Sequence, residues 1–129
     1  MRRGAGTVPF RRSPQGFDLL LISSRKKDYW VFPKGGIEGF EQSCDAAVRE
    51  TWEEAGVRGT IVAKLEDVVV GKSAFDFFLF QVEEECGDWP ERHERDRKWV
   101  SFSDLRPGEL RNELQVLISR VEKGLSSLS

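Results

Sequence analysis

One histidine, one tyrosine, one methionine and two cysteines among 129 residues exclude several chemistries at the outset. With His93 alone, no multi-histidine metal centre can form, and histidine-driven catalysis is not expected. His93 also falls in the polar run Glu91–Lys98, where a solvated loop residue is the simplest expectation. Cys44 and Cys86 are far apart and lack a metal-ligand spacing, and a chain this long does not need a disulfide. Both are read as reduced thiols. Long apolar runs are missing too. Phe17–Ile22 and Phe77–Phe80 fall well short of the ~20 residues that span a bilayer, and no apolar signal segment follows Met1-Arg2-Arg3-Gly4. A cytoplasmic or nuclear protein with no membrane partner is expected.

What is present suffices for a globular core: 39% hydrophobic residues beside 33% charged ones, in a length that suits a single domain over 1–129. The net charge of −2 conceals an asymmetry. Residues 1–34 carry eight basic groups against Asp18 and Asp28, while residues 35–129 carry twelve basic against twenty acidic. A basic wall facing an acidic one would suit an anionic substrate held with a divalent cation.

Gly4–Arg11 and Phe17–Ser23 read as strands around the turn cluster Arg12–Gly16, and Tyr29–Phe32 as a short aromatic strand stopped by Pro33. Lys34–Phe40 reads as a glycine-rich loop. Gln42–Ala55 is helical, with Ser43 as the candidate N-cap and Gly56 just past the C-terminus. Val57–Val70 and Ala74–Val82 are strand regions, Glu83–Arg97 a polar loop and Lys98–Phe102 a short strand. An amphipathic helix is expected over about 107–123, with Leu110, Leu114, Leu117, Ile118 and Val121 at helical spacing. The order β-β-β-α-β-β-β-α predicts an α/β (α+β) sandwich in which helices enclose a mixed sheet.

The helix Gln42–Ala55 carries the chemistry. On a helical wheel Glu53 and Glu54 fall about 60° and 40° to either side of Glu50, so three carboxylates share one face. Ser43, Ala46 and Ala47 lie on that face, leaving room for phosphates, while Cys44, Val48, Trp52 and Ala55 make an opposite apolar face. Like charges this close repel by a few tenths of a kcal/mol per pair. Mg²⁺, which binds through carboxylates, waters and substrate phosphates, reverses that sign. Arg49 lies one turn from Glu53 and Asp45 and can hold a glutamate in place.

From Gly35 the spacing runs Gly, five residues, Glu41, seven residues, then Arg49-Glu50-Thr51-Trp52-Glu53-Glu54-Ala55-Gly56-Val57. This resembles the Nudix box, GX5EX7REUXEEXGU, over residues 35–57. Every fixed letter matches, and Thr51 is the one departure, polar where the family has an apolar residue. The chance of such a match is on the order of 10⁻⁸ per window at ordinary residue usage. Trp30-Val31-Phe32-Pro33-Lys34-Gly35-Gly36, Leu20–Arg25 and Lys98–Leu105 are similar to the diphosphoinositol polyphosphate phosphohydrolases, some of which also cleave diadenosine polyphosphates.

The resemblance implies a Nudix-type α/β/α sandwich and a Mg²⁺-dependent hydrolase, with Mn²⁺ as the substitute ion. Glu50, Glu54 and the Gly35 backbone carbonyl would hold the metal. Glu53 would act on the attacking water, with Glu50 in reserve, and Arg49 would orient a glutamate. Glu41 would brace the loop or reach an outer metal. By position, Arg3, Ser23, Arg25, Lys34 and Arg97 (or Lys98) would bind a small-molecule polyphosphate, with no nucleic acid partner. Phe75 and Phe77 can stack on a base but read more simply as core strand. Alternatives left open are another Nudix substrate, such as an oxidised nucleoside triphosphate, a nucleotide sugar or a cap, and a non-catalytic binding module of the same fold.

Overall fold

The computed structural model describes residues 2–65, 67–106, 110 and 115–128. Strand β1 (Arg2–Ser13) organises the rest. It turns back into β2 (Gly16–Ser23) as an antiparallel pair, with Gly16 at φ 126°, where a side chain would be strained. Beyond β3 (Trp30–Val31), β4 (Lys34–Gly36) pairs with the N-terminal half of β1. The other edge of β1 runs parallel to β7 (Ser73–Glu85), from Arg2 opposite Ser73 to Phe10 opposite Gln81. Strands β5 (Val57–Lys64) and β6 (Val68–Val70) pair antiparallel with β7, and β8 (Arg97–Ser101) with β2. The eight strands form one mixed sheet.

Helix α1 (Ser43–Ala55) and helix α2 (Leu117–Ser126) pack on opposite faces, which gives the expected α/β (α+β) sandwich. The larger core lies on the α2 side, where Leu117, Val121 and Leu125 join Val8, Phe10, Phe77 and Leu79, all buried. Among the described residues, no helix is long and apolar enough to cross a membrane. Cys44 and Cys86 are free thiols.

Several elements differ from expectation. The glycine-rich segment expected to be a loop contributes β4, because Gly4 and Gly6 of β1 leave space for a backbone to lie alongside. Strand β7 continues through Glu83–Glu85, where Glu84 and Glu85 pair with Arg58 and Val57 at the exposed end of the sheet. Helix α1 is capped by Gln42 rather than Ser43, without a side-chain hydrogen bond, and ends at Gly56 in the left-handed conformation (φ 68°). Helix α2 runs from Leu117 to Ser126, past the expected end at about 123, and residues 107–109 and 111–114 of the expected helix lie outside the described residues. Of the residues placed in that helix, Leu110 is instead buried beside Trp30, and Leu114 lies outside the described residues.

The orientation of α1 is the main correction. Its buried residues are Ala46, Ala47, Thr51, Glu54 and Ala55, whereas Val48 is 39% exposed and Cys44 and Trp52 are only half-buried. The small residues therefore face the sheet instead of making room for phosphates. The reason is steric: α1 lies over Ala5 and Phe78, and only alanine-sized side chains fit between. Arg58 covers the outward Trp52, its guanidinium 4.0 Å from the ring centroid.

Candidate active site

The alanine face brings α1 close enough to β4 for its glutamates to meet that strand. A Cβ on Gly35 would overlap the Glu50 carboxylate, so the backbone here must be glycine for the side chain to reach it. The Lys34 amide donates to Glu54 Oε1 at 3.2 Å. Arg49 ties the preceding loop to the helix. It donates from Nε and Nη2 to Glu41 at 2.7 and 3.0 Å and from Nη2 to the Gly36 carbonyl at 2.9 Å. Its Nη1 stands 3.3 Å from Glu53 Oε1 and Oε2 and 3.4 Å from Glu50 Oε2, so one guanidinium braces Glu41 and separates two glutamates.

Environment divides these carboxylates. The Arg49 hydrogen bond, helped by the Glu38 amide, holds Glu41 down to about 2. Burial pushes Glu54 up to about 7 despite Arg95 and the Lys34 amide, and burial also raises Glu50. Glu53 is the most open, with 30% of its side chain exposed against 13% for Glu50 and 9% for Glu54.

The segment between β7 and β8 closes over the C-terminal end of α1. Glu91 N donates to the Glu53 carbonyl at 3.0 Å, Trp89 Nε1 to Glu54 at 3.1 Å, Arg97 Nη1 to Ala55 at 2.8 Å and Cys86 N to Gly56 at 2.9 Å. Helix geometry leaves such terminal carbonyls without partners, so this segment satisfies them in turn. Docking there places Arg95 among the carboxylates. It donates to Glu91 Oε1 and to the Ser23 carbonyl at 3.0 Å each, and its Nη2 lies 3.7 Å from Glu54 Oε2. The Glu91 charge also raises Glu50 and Glu54.

A model of the NUDIX domain family matches residues 1–121. Nudix hydrolase 18, mitochondrial, of Arabidopsis thaliana is 36% identical over 93% of this chain and 78% of its own length. This chain belongs to the Nudix hydrolase family. Diphosphoinositol polyphosphate phosphohydrolase 3-alpha of Mus musculus is 34% identical over 80% of this chain and 66% of its own length. A binary complex of the C. elegans Ap4A hydrolase shares the fold at a TM-score of 0.78 and 25% identity, covering 96% of this chain and 98% of that one.

In this Nudix hydrolase the box residues Gly35, Glu41, Arg49, Glu50, Glu53 and Glu54 come together as described, with Lys34 beside them. Arg3 and Lys34 line a cavity of about 250 Å³ with Arg2, Gly35, Ser73 and Phe75. Arg3 is anchored there by Asp76 at 2.5 Å and Asp67 at 3.5 Å. Arg25 stands apart, paired with Glu91 at 3.7 Å and Glu94 at 3.5 Å. Two expected ligand-binding side chains are engaged inside the fold. Buried Ser23 accepts from the Asp96 amide at 2.9 Å, and Arg97 lies over the Trp89 ring at 4.0 Å while donating to the Ala55 and Cys86 carbonyls. Lys98 lies 4.3 Å over the Trp30 ring.

Nudix hydrolases generally use a divalent metal such as Mg²⁺. Among the described residues no three acidic, histidine or cysteine side chains converge on one point. The donor set still fits, since Mg²⁺ is commonly held by one or two carboxylates with waters and substrate phosphates. Glu50 and Glu54, both desolvated and backed against β4, are the side chains that could offer such oxygens. Glu91, Arg95 and Trp89 were not identified from the sequence. Their signal was confined to a polar run with a Glu91–Arg95 pair four residues apart, which any solvated turn could show.

Proposed function

We propose that this Nudix hydrolase is a Mg²⁺-dependent pyrophosphohydrolase, with Mn²⁺ able to substitute, that cleaves P–O–P links in diphosphoinositol polyphosphates, diadenosine polyphosphates or both. The observation that carries this reading is the juxtaposition of the Glu50–Glu54 face with the cavity walled by Arg2, Arg3 and Lys34. Arg2, Arg3 and Lys34 offer cations to phosphates beside carboxylates that would hold a divalent ion. The similarity to a mouse diphosphoinositol polyphosphate phosphohydrolase and to the C. elegans Ap4A hydrolase supports these substrate classes.

Each residue then has a role. Glu50, Glu54 and the Gly35 carbonyl would hold the ion. Glu53, the most exposed carboxylate, accepts the proton of the attacking water. Arg49 keeps Glu53 from swinging away and locks Glu41 against the loop. Arg3 and Lys34 receive the phosphates on one side and Arg25 on the other, where a guanidinium can take two phosphate oxygens at once. A divalent ion bound here would acidify its water and shield the phosphoryl oxygens from the nucleophile.

The test is a panel of inositol pyrophosphates, diadenosine penta- and hexaphosphate and oxidised nucleoside triphosphates, assayed with Mg²⁺ and with EDTA. Metal-dependent turnover of the first two classes over the third is expected. Turnover confined to oxidised triphosphates would reassign the substrate, and none at all would point to a binding module.

A further inference from the structure

The two arginines given to phosphates above share one feature: each is held between two carboxylates. Arg3 stands 2.5 Å from Asp76 and 3.5 Å from Asp67, and Arg25 stands 3.7 Å from Glu91 and 3.5 Å from Glu94. We propose that these four acids set specificity by charge, favouring the linear phosphate chain of a diadenosine polyphosphate over the denser charge of a diphosphoinositol polyphosphate. This rests on the pyrophosphohydrolase reading above and narrows its substrate class.

Both clusters follow one plan, a fixed inner acid and an open outer one. Asp76 is buried on β7 opposite Ala5 of β1, and Arg3 lies two residues earlier on the same face of that strand. Glu91 is held by its amide, which donates to the Glu53 carbonyl at 3.0 Å, and by Arg95 Nε, which donates to Oε1 at 3.0 Å. The outer acids are open, with 46% of the Asp67 side chain and 54% of that of Glu94 exposed. They can be altered without disturbing a core.

A guanidinium between two carboxylates still has five N–H donors and can bond phosphate oxygens. What it loses is its net charge, since two negative groups outweigh one positive one. Arg95, which also bonds Glu91, is balanced in turn by Glu54 at 3.7 Å, and Lys27 by Asp96 at 3.6 Å. Arg2 and Lys34 add positive charge to the cavity beside Gly35. Repulsion from the four acids grows with the charge of the ligand, and within about 10 Å salt screens it only in part. A linear chain carries roughly one negative charge per phosphate. An inositol pyrophosphate crowds its phosphates around a ring and meets the same acids with far more charge.

Inositol hexakisphosphate has no P–O–P link, and a diadenosine tetraphosphate analogue with methylene in place of each bridging oxygen has none either. Their binding is therefore read apart from turnover. In calorimetric titrations with Mg²⁺, wild type should bind the analogue more tightly than inositol hexakisphosphate. Asp67→Asn/Glu94→Gln should bind inositol hexakisphosphate about tenfold more tightly and the analogue only about threefold, and both gains should shrink as salt is raised. Glu122→Gln, an equal change of charge on the exposed side of α2, should alter neither. In assays of the double variant, KM for an inositol pyrophosphate should fall about tenfold with kcat within about twofold. Binding of neither ligand, tighter wild-type binding of inositol hexakisphosphate, equal gains for both ligands, or the same gain in Glu122→Gln would overturn the proposal. Turnover of diadenosine polyphosphates with an unshifted preference in the double variant would overturn it and leave the hydrolase reading standing. The expected shift in binding with no pyrophosphate turnover would keep the charge selectivity and remove the hydrolase reading.

Discussion

Toward α2 the sheet presents Val8, Phe10, Phe77 and Leu79 to Leu117, Val121 and Leu125, with no charged group among them. Toward α1 it presents Ala5, Thr7, Asp76 and Phe78 to two alanines, a threonine and a glutamate. The first face buries volume, and each large side chain removed from water contributes about 1.5–3 kcal/mol. The second buries little apolar volume and much polarity, and satisfies it locally. Thr7 and Thr51 meet at 2.7 Å with both hydroxyls buried, and Thr51 also donates to the Ala47 carbonyl at 2.7 Å. Such contacts fix the distance between α1 and the sheet more than they hold the chain together. Stability and position are thus assigned to opposite faces.

Mutations on the two faces should therefore fail in different assays. Leu79→Ala should lower the unfolding free energy by about 2–5 kcal/mol while leaving kcat per folded molecule unchanged. Denaturant melts and active-site titration together would check this, and a large fall in kcat would show that the faces are coupled. Glu53→Gln should do the reverse, lowering turnover by ~10²-fold with the melting temperature unmoved. Near wild-type rates would move the base to Glu50 or Glu91. Gly35→Ala should fall between them. Its methyl group would displace the Glu50 carboxylate, lowering kcat on the order of tenfold with a matching rise in the Mg²⁺ needed for half-maximal rate. An unchanged Mg²⁺ requirement would detach Glu50 from the metal.

The asymmetry also explains what the chain disclosed in advance. The box was legible because Gly35 to Val57 is one contiguous stretch whose spacing is set by a single helix, and β1, β2 and α1 followed from local periodicity. The inward face of α1 was not. Hydrophobicity favours burying Val48 and Trp52, but Ala5, flanked by Gly4 and Gly6 on β1, brings the helix so near that side-chain size decides. Glu91 and Arg95 were hidden for a different reason. Their place depends on bonds from a distant loop to the last carbonyls of α1, which no local pattern encodes.

The smallest expected effect is the most specific to the polar face. Burial lifts Glu54 from 4.5 to about 7, and Glu50 is raised in the same direction. Between those two values the folded protein binds a proton that the unfolded chain has released, so stability falls as pH rises through that window. Glu41, held at about 2, acts in the opposite sense but only below pH 4.5, outside the window. In EDTA, wild type should therefore lose roughly 1–2 kcal/mol more stability between pH 5 and pH 8 than Glu54→Gln, whose neutral amide carries no such charge. Excess Mg²⁺ should flatten the wild-type curve, because a cation beside Glu54 favours the ionised form. Parallel curves for the two proteins in EDTA would mean that Glu54 is not desolvated in solution, and the close approach of α1 to the sheet would lose its main electrostatic consequence.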